Sequence, residues 1–362
     1  MRIRLDPWPV DTQDGQLTLK PFAGLVFNAE TEVWAAIAPR DLPARLRRVL
    51  VVDGKPRMEA RLLLDDEVGG LSLAGFGAFV AGAVDLCPHG TRQAELLEVA
   101  AQRVLAHSSE SGAAVKAERL SPRNPHTGRL EYTPHVFSGS GLEGAKSKVQ
   151  RLMLDAEAEL SHRLASALPL DTSDPNALPD TLVLQDGPVR IGGAGRAVLG
   201  YVKTLHTDYL GADRIGLLGT LKPGERTPVL RFRVGDQGGG HDSAGQGSEG
   251  REQRFTWYVR LCDPPFYQHP LAGVMRLEMH APEDSDFVPR GVLDIANLSG
   301  RLLCKLASMP HKDARAPQNL IPTAALEQAM GRAMGSAELV TRRIRSHLAR
   351  ELGRVEIEGA VA

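Results

Sequence analysis

VLVVDGK, residues 49–55, decides how this chain is read. Four consecutive β-favouring apolar residues run into Asp-Gly, the pattern of a buried strand that stops at a turn. The same pattern returns in TLVLQDGPV, residues 181–189, where an apolar run again meets Asp-Gly at Asp186. After the first run come two more strand candidates, Arg57–Leu64 and Ala74–Val84, joined by the turn-rich DDEVGG. Together these segments read as an antiparallel meander.

Working outward, DLPARLRR (41–48) reads as a short helix leading into the first strand. TRQAELLEVAAQRVLAH (91–107) places Leu96, Val99, Ala100 and Val104 at helical spacing and is expected to be an amphipathic helix. Residues 108–142 are polar and rich in Pro and Gly, so they are expected on the surface, outside the core. Residues 143–168 carry the strongest helical pattern, with Val149, Leu152, Met153, Ala156, Leu160 and Leu164 along one side. AVLGYVKT (197–204), VLRFRV (229–234), FTWYVRLC (255–262) and MRLEM (275–279) read as strands, and 291–308 and 322–352 as helical. The Gly-rich stretch 235–254 between two of these strands is expected to be a flexible hairpin tip. The resulting plan is an N-terminal extension (1–48), one α/β domain (49–310) interrupted by an insertion (85–142), and a helical C-terminal region (311–362).

The order of these pieces points to a ribonuclease-H-like mixed sheet flanked by helices. In such a core the first and fourth strands lie side by side, so aspartates at their C-terminal ends meet, and the intervening helix packs across that edge. Asp53, Asp186 and an acid from the long helix would then converge. Like charges a few Å apart need cations between them. Hard oxygen donors suit Mn²⁺ or Mg²⁺, and two such ions about 3.5–4 Å apart clamp the attacking and leaving oxygens of a phosphodiester. The helical acid is Glu157 or Glu159: at about 100° per residue they lie about 70° and about 90° to either side of the apolar stripe. Asp-Gly after a strand is also an ordinary turn, and the residues alone leave both readings open.

VVDGK (51–55), LMLDAE (152–157), LVLQDGPV (182–189), GYVKT (200–204) and RAPQNLIP (315–322) resemble, in order and spacing, the bacterial NurA nucleases, partners of the HerA hexameric translocase. The resemblance runs from about residue 45 to residue 350. It implies a ribonuclease-H-like fold and a Mn²⁺-dependent nuclease acting on single- and double-stranded DNA, with 5′→3′ exonuclease character, in the resection of double-strand break ends. It implies Asp53, Glu157 and Asp186 as metal ligands, the LMLDAE match favouring Glu157 over Glu159, and Lys203 near the scissile phosphate. It also implies a homodimer that docks on a HerA-like ring. The family pattern has an aromatic-Pro segment followed by a His; here FVPRGVLDIAN places Asn297 at the His position, which implies either Asn297 as a fourth ligand or a role that has moved elsewhere. A catalytically weak adaptor on the same fold is the alternative.

Net charge is −1, so DNA contact must come from a local patch. Residues 301–350 hold nine Lys/Arg against three acids, and Arg315, Arg342, Arg343 and Arg345 are the candidate DNA contacts. Three widely spaced cysteines form no disulfide framework. The N-terminus has no signal-peptide h-region and no uncharged stretch is bilayer-length, so a cytoplasmic protein without a membrane span is expected. SGSGLEGAKS (138–147) fails the phosphate-loop pattern because Ala145 separates Gly from Lys. RIGGAGRA (190–197) lacks a βαβ setting, and neither HExxH nor GxSxG occurs.

Overall fold

In this computed structural model the described residues are 19–22, 24–65, 71–109, 122–124, 128–139, 142–168, 178–190, 195–233, 253–264, 266, 268–282, 287–309 and 317–360. The strands are β1 (Lys20–Pro21), β2 (Val26–Asn28), β3 (Arg48–Asp65), β4 (Leu71–Leu86), β5 (Glu95–Leu97), β6 (Gln102–Ser108), β7 (Arg123–Asn124), β8 (Gly128–Arg129), β9 (Thr133–Phe137), β10 (Thr181–Asp186), β11 (Val198–Val202), β12 (Thr207–Asp208), β13 (Leu230–Arg233), β14 (Gln253–Arg260) and β15 (Val274–Ala281). The helices are α1 (Leu142–Leu164), α2 (Ala212–Thr220), α3 (Arg290–Leu306), α4 (Ile321–Met334) and α5 (Ala337–Ala360). The chain is α/β, with a large mixed sheet flanked by helices. Among the described residues no helix is long and apolar enough to cross a membrane.

Two compact units divide the chain. Unit 1 comprises Met1–Val52, Val84–Glu95 and Ala158–Ala324; unit 2 comprises Asp53–Ala83, Leu96–Glu157 and Ala325–Ala362.

In unit 1 neighbouring strands follow the order β2-β13-β14-β15-β11-β10-β3. β10 is parallel to both β3 and β11, while β11–β15, β14–β15 and β13–β14 are antiparallel. The run Val49–Val52 is completely buried, which explains its unbroken apolar character: a parallel ladder is covered on both faces. One face carries Val49, Val51, Leu184, Leu199, Trp257 and Leu277 and receives α3 through Val292, Ile295, Leu298 and Leu302. That i, i+3, i+6, i+10 spacing keeps one helix stripe on the sheet. Inside this core the Trp257 indole donates to Ser299 Oγ at 3.1 Å, and Ser299 donates to the Ala296 carbonyl at 2.7 Å. A second cluster packs Leu218 of α2 with Leu230, Tyr258 and Val274.

In unit 2 the order is β3-β4-β6-β9. β4 and β6 are antiparallel, β6 and β9 parallel. α1 lies on one face, placing Ala145, Val149 and Met153 with Phe79, Val104 and Ala106. α5 lies on the other, placing Val340 and Ile344 with Phe76, Leu105 and Tyr132. Alternation along β6 accounts for the split, since Val104 and Ala106 point one way and Leu105 the other. α1 is able to approach β4 because Gly75 and Gly77 carry no side chain beneath it; a β-carbon on Gly77 would come within 2.5 Å of Val149 Cγ2.

Several expectations need correction. The first two strand candidates are one strand: β3 runs through Asp53-Gly54 without a turn. Gly54 is not among the positive-φ glycines, whereas Gly187, after Asp186, has φ +82° and does end its strand. Residues 91–107 are not a helix. They form β5 and β6, separated by Glu98 at φ +56°, a left-handed conformation no α-helix contains. Residues 108–142 are not all surface: they supply β9 and the buried Tyr132 and Phe137, so part of the stretch read as an insertion (85–142) belongs to the sheet order of unit 2. Residues 41–48 form no helix. Of the stretch expected as a hairpin tip (235–254), residues 235–252 lie outside the described residues, and Gln253 and Arg254 belong to β14.

The C-terminal helical stretch is two helices. Gly335 ends α4 at φ +74° and donates to the Arg332 carbonyl at 3.0 Å. Ser336 then accepts from Leu339 N at 3.4 Å, the N-cap pattern. Gly335→Ala forces a β-carbon into the left-handed region and is expected to lower stability by about 1–2 kcal/mol, read from the urea midpoint.

Candidate metal centre

The β3–β10 ladder sets the register of the candidate aspartates. Thr181 stands opposite Arg48, Leu184 opposite Val51 and Gln185 opposite Val52. Asp186 and Asp53 are the next residues of these two strands. Val51 and Leu184 both belong to the α3-facing core. Two residues on, Asp186 takes that same face, where its register partner on β11 is Tyr201.

In unit 1 Asp186 is held by Lys203, whose Nζ donates to Asp186 Oδ2 at 2.6 Å and to Asn319 Oδ1 at 3.0 Å. Asn319 is 1% exposed, so the second contact belongs to a built site. The Lys203 ammonium also lies 5.5 Å from the centroid of the Tyr201 ring. Tyr201 is itself buried, its hydroxyl 3.1 Å from Thr323 Oγ1. Sequence reading missed Asn319. Its only mark was membership of RAPQNLIP, and a polar residue just ahead of a helix reads as an exposed cap.

In unit 2 Asp53 is 6% exposed and Glu157 3%. Asp53 Oδ1 accepts from its successor's amide, Gly54 N, at 2.9 Å, so the carboxylate leans along the strand. A β-carbon on Gly54 would collide with Met153 Sδ and would lie 3.3 Å from Glu157 Oε2. Glu157 thus stands against β3 one residue beyond Asp53. Val149, Met153 and Glu157 occur at i, i+4 and i+8, one row of α1, and all three are buried. Glu159 and Asp155 are exposed. Gly54→Ala overpacks this contact and is expected to lower stability by about 1–3 kcal/mol, seen as a reduced melting temperature.

Asn297 does not fit the metal-ligand role. Its Oδ1 accepts from Arg226 Nη2 at 2.6 Å. The same guanidinium, 1% exposed, grips both carboxylate oxygens of Glu30 at 2.7 Å. A divalent cation at Asn297 would sit against a buried guanidinium and be repelled. The structure gives Asn297 the task of completing the Arg226 shell.

Arg342 and Arg345 are exposed on α5 and Arg343 is half-buried; Arg315 lies outside the described residues. Among the described residues no three His, Cys, Asp or Glu side chains stand as a ready group for a metal ion. Asp186 has the Lys203 ammonium as its counter-charge.

Comparison with curated proteins yields no match. The NurA domain model matches residues 47–325, a span that includes both aspartate-ended apolar runs, Glu157, Lys203 and Asn319. With that span, most of its length, this chain belongs to the NurA family of nucleases that process DNA ends.

Proposed function

We propose that the chain is a Mn²⁺-dependent deoxyribonuclease, with Mg²⁺ as a substitute ion, built on a ribonuclease-H-like core. The parallel β3–β10 ladder supports this reading: Asp53 and Asp186 each directly follow its last paired residues, Val52 and Gln185. The orders β6-β4-β3 in unit 2 and β3-β10-β11 in unit 1 support the fold assignment.

The donor set fits a hard divalent cation, because Asp53, Glu157 and Asp186 all offer carboxylate oxygens. The missing side chain at Gly54 lets Met153 and Glu157 of α1 approach β3. A divalent cation held by these carboxylates would supply an activated water and charge compensation at the leaving oxygen. The protein's own part is positional. Buried Asp53 and Glu157 stay fixed by the strand and by the helix row behind them. Lys203, held between Asp186 and Asn319, carries a positive charge that serves the developing charge on the scissile phosphate. Asn319→Ala removes one anchor of that ammonium. The expected result is about a tenfold fall in kcat, the equivalent of about 1.4 kcal/mol, with DNA affinity little changed.

The proposal extends to 5′→3′ exonuclease action with endonuclease activity on single strands, in double-strand break end resection, as a cytoplasmic homodimer docked on a HerA-type hexameric ATPase. The test presents linear duplex, single-stranded, branched and RNA–DNA hybrid substrates with Mn²⁺, Mg²⁺ or EDTA. Degradation of linear DNA that requires Mn²⁺ and stops in EDTA is the expected result. Absence of metal-dependent cleavage, with retained binding to the ring ATPase, would replace this reading with the adaptor.

A further inference from the structure

A second charged cluster occupies unit 2. The Glu59 side chain is fully buried (0%) on β3. Arg57 Nη2 donates to Glu59 Oε1 at 2.6 Å, the Arg103 guanidinium approaches Glu59 Oε2 at 3.6 Å, and the Tyr132 hydroxyl donates to the same Oε2. Burial, reinforced by the Glu59 charge, pushes the Tyr132 phenol far above its ordinary pKa, so it remains a donor. Two guanidiniums facing one carboxylate leave one positive charge to be answered.

A helix end answers it. Arg57 donates to the Gly335 carbonyl at 2.7 Å and to the Met334 carbonyl at 2.9 Å, and Arg103 donates to the Met334 carbonyl at 2.8 Å. Met334 is the last residue of α4 and Gly335 follows it, so these carbonyls lie at the negative end of the helix dipole. Beyond the turn, Thr341 Oγ1 donates to the Glu59 carbonyl at 3.0 Å. Both sides of the α4–α5 junction are therefore gripped from one stretch of β3. The same strand carries Asp53, four residues before Arg57, about 13 Å away along an extended chain.

We propose that Arg57, Arg103 and Glu59 are positioning residues for nucleic-acid binding: the buried clamp holds α5 so that Arg342, Arg343 and Arg345 meet a DNA phosphate backbone in one orientation relative to β3. The inference rests on the reading of the C-terminal helix as a DNA path. The clamp itself touches no DNA. Its role differs from simple stabilisation because a loosened α5 loses phosphate contacts in molecules that are still folded.

Salt dependence of binding separates the two roles. Affinity for a duplex oligonucleotide is measured in EDTA with the full chain over a range of NaCl concentrations. Each phosphate contact contributes about −0.9 to the slope of log K against log [salt]. Replacing Arg342, Arg343 and Arg345 together by Ala should make the slope shallower by about 2–3. Arg57→Gln should give a loss in the same direction, and adding it to the triple variant should give little further loss. Arg57→Lys, which retains charge beside Glu59 without the planar fork, is read in the same way if Arg57→Gln fails to fold. An unchanged slope in the triple variant would overturn the DNA-path reading. A reduced slope there, with wild-type slope and affinity in the Arg57 variants despite a lower melting temperature, would overturn the clamp's positioning role alone.

Discussion

Asp186→Asn is expected to lower metal-dependent DNA cleavage by at least about a thousandfold while leaving the protein folded. Asparagine keeps the shape of the side chain and removes its charge. The Asp186 side chain is 26% exposed, and its ion pair with Lys203 is a partly solvated one. Such a pair contributes at most about 1 kcal/mol, so the melting temperature should move little. The amide oxygen still accepts from Lys203. On the proposed reading, what is lost is a negative oxygen donor, and with it charge that would hold a divalent cation at the reacting phosphate. Asp53→Asn should behave alike. Initial rates on linear DNA, beside thermal unfolding and metal-free DNA binding, distinguish the outcomes. A variant retaining more than one-hundredth of wild-type activity would remove Asp186 from the carboxylate set.

The largest effect on stability is expected at Arg226, where no chemistry is assigned. Arg226→Ala should cost about 3–5 kcal/mol, measured by urea denaturation. The guanidinium is buried, paired in both directions with Glu30, and bonded to Asn297 and to the Thr227 carbonyl. Glu30 also accepts from Val229 N at 2.8 Å, so the cluster ties the segment after β2 to the segment before β13. Truncation strands a carboxylate and an amide in a dry place. Asn297→Ala should cost less, about 1–3 kcal/mol, and should leave the metal requirement for cleavage unchanged. A shift in Mn²⁺ dependence in Asn297→Ala would return that residue to the metal site.

The parts of this molecule that could be read from sequence are those where local chemistry and tertiary placement agree. The Val49–Val52 and Leu182–Leu184 runs demand burial whatever surrounds them, and the structure buries both completely. The long acidic helix is likewise set by its own periodicity. Misreadings arose where a partner distant in the chain decides. Asp53-Gly54 carries turn chemistry, yet Gly54 is extended because α1 lies over it and needs the missing side chain. Leu96, Val99, Ala100 and Val104 fit a helical period, but Val104 and Ala106 answer α1 while Leu105 answers α5, so the pairing of β6 with β4 prevails. Nothing local marks Asn319 or Asn297 as buried. Each owes its place to a cation, Lys203 or Arg226, far along the chain.

Gly77 has no functional group, yet it governs where an acid stands. Val149 rests above it, and Met153 and Glu157 continue the same helical row toward Gly54. A single methyl group at position 77 would lift that row like a shim under one end of a beam, and the displaced end carries a carboxylate. Variants of reduced activity should therefore turn up at a silent, chemically blank position two helical turns from the acid, and a search confined to charged side chains would pass them by.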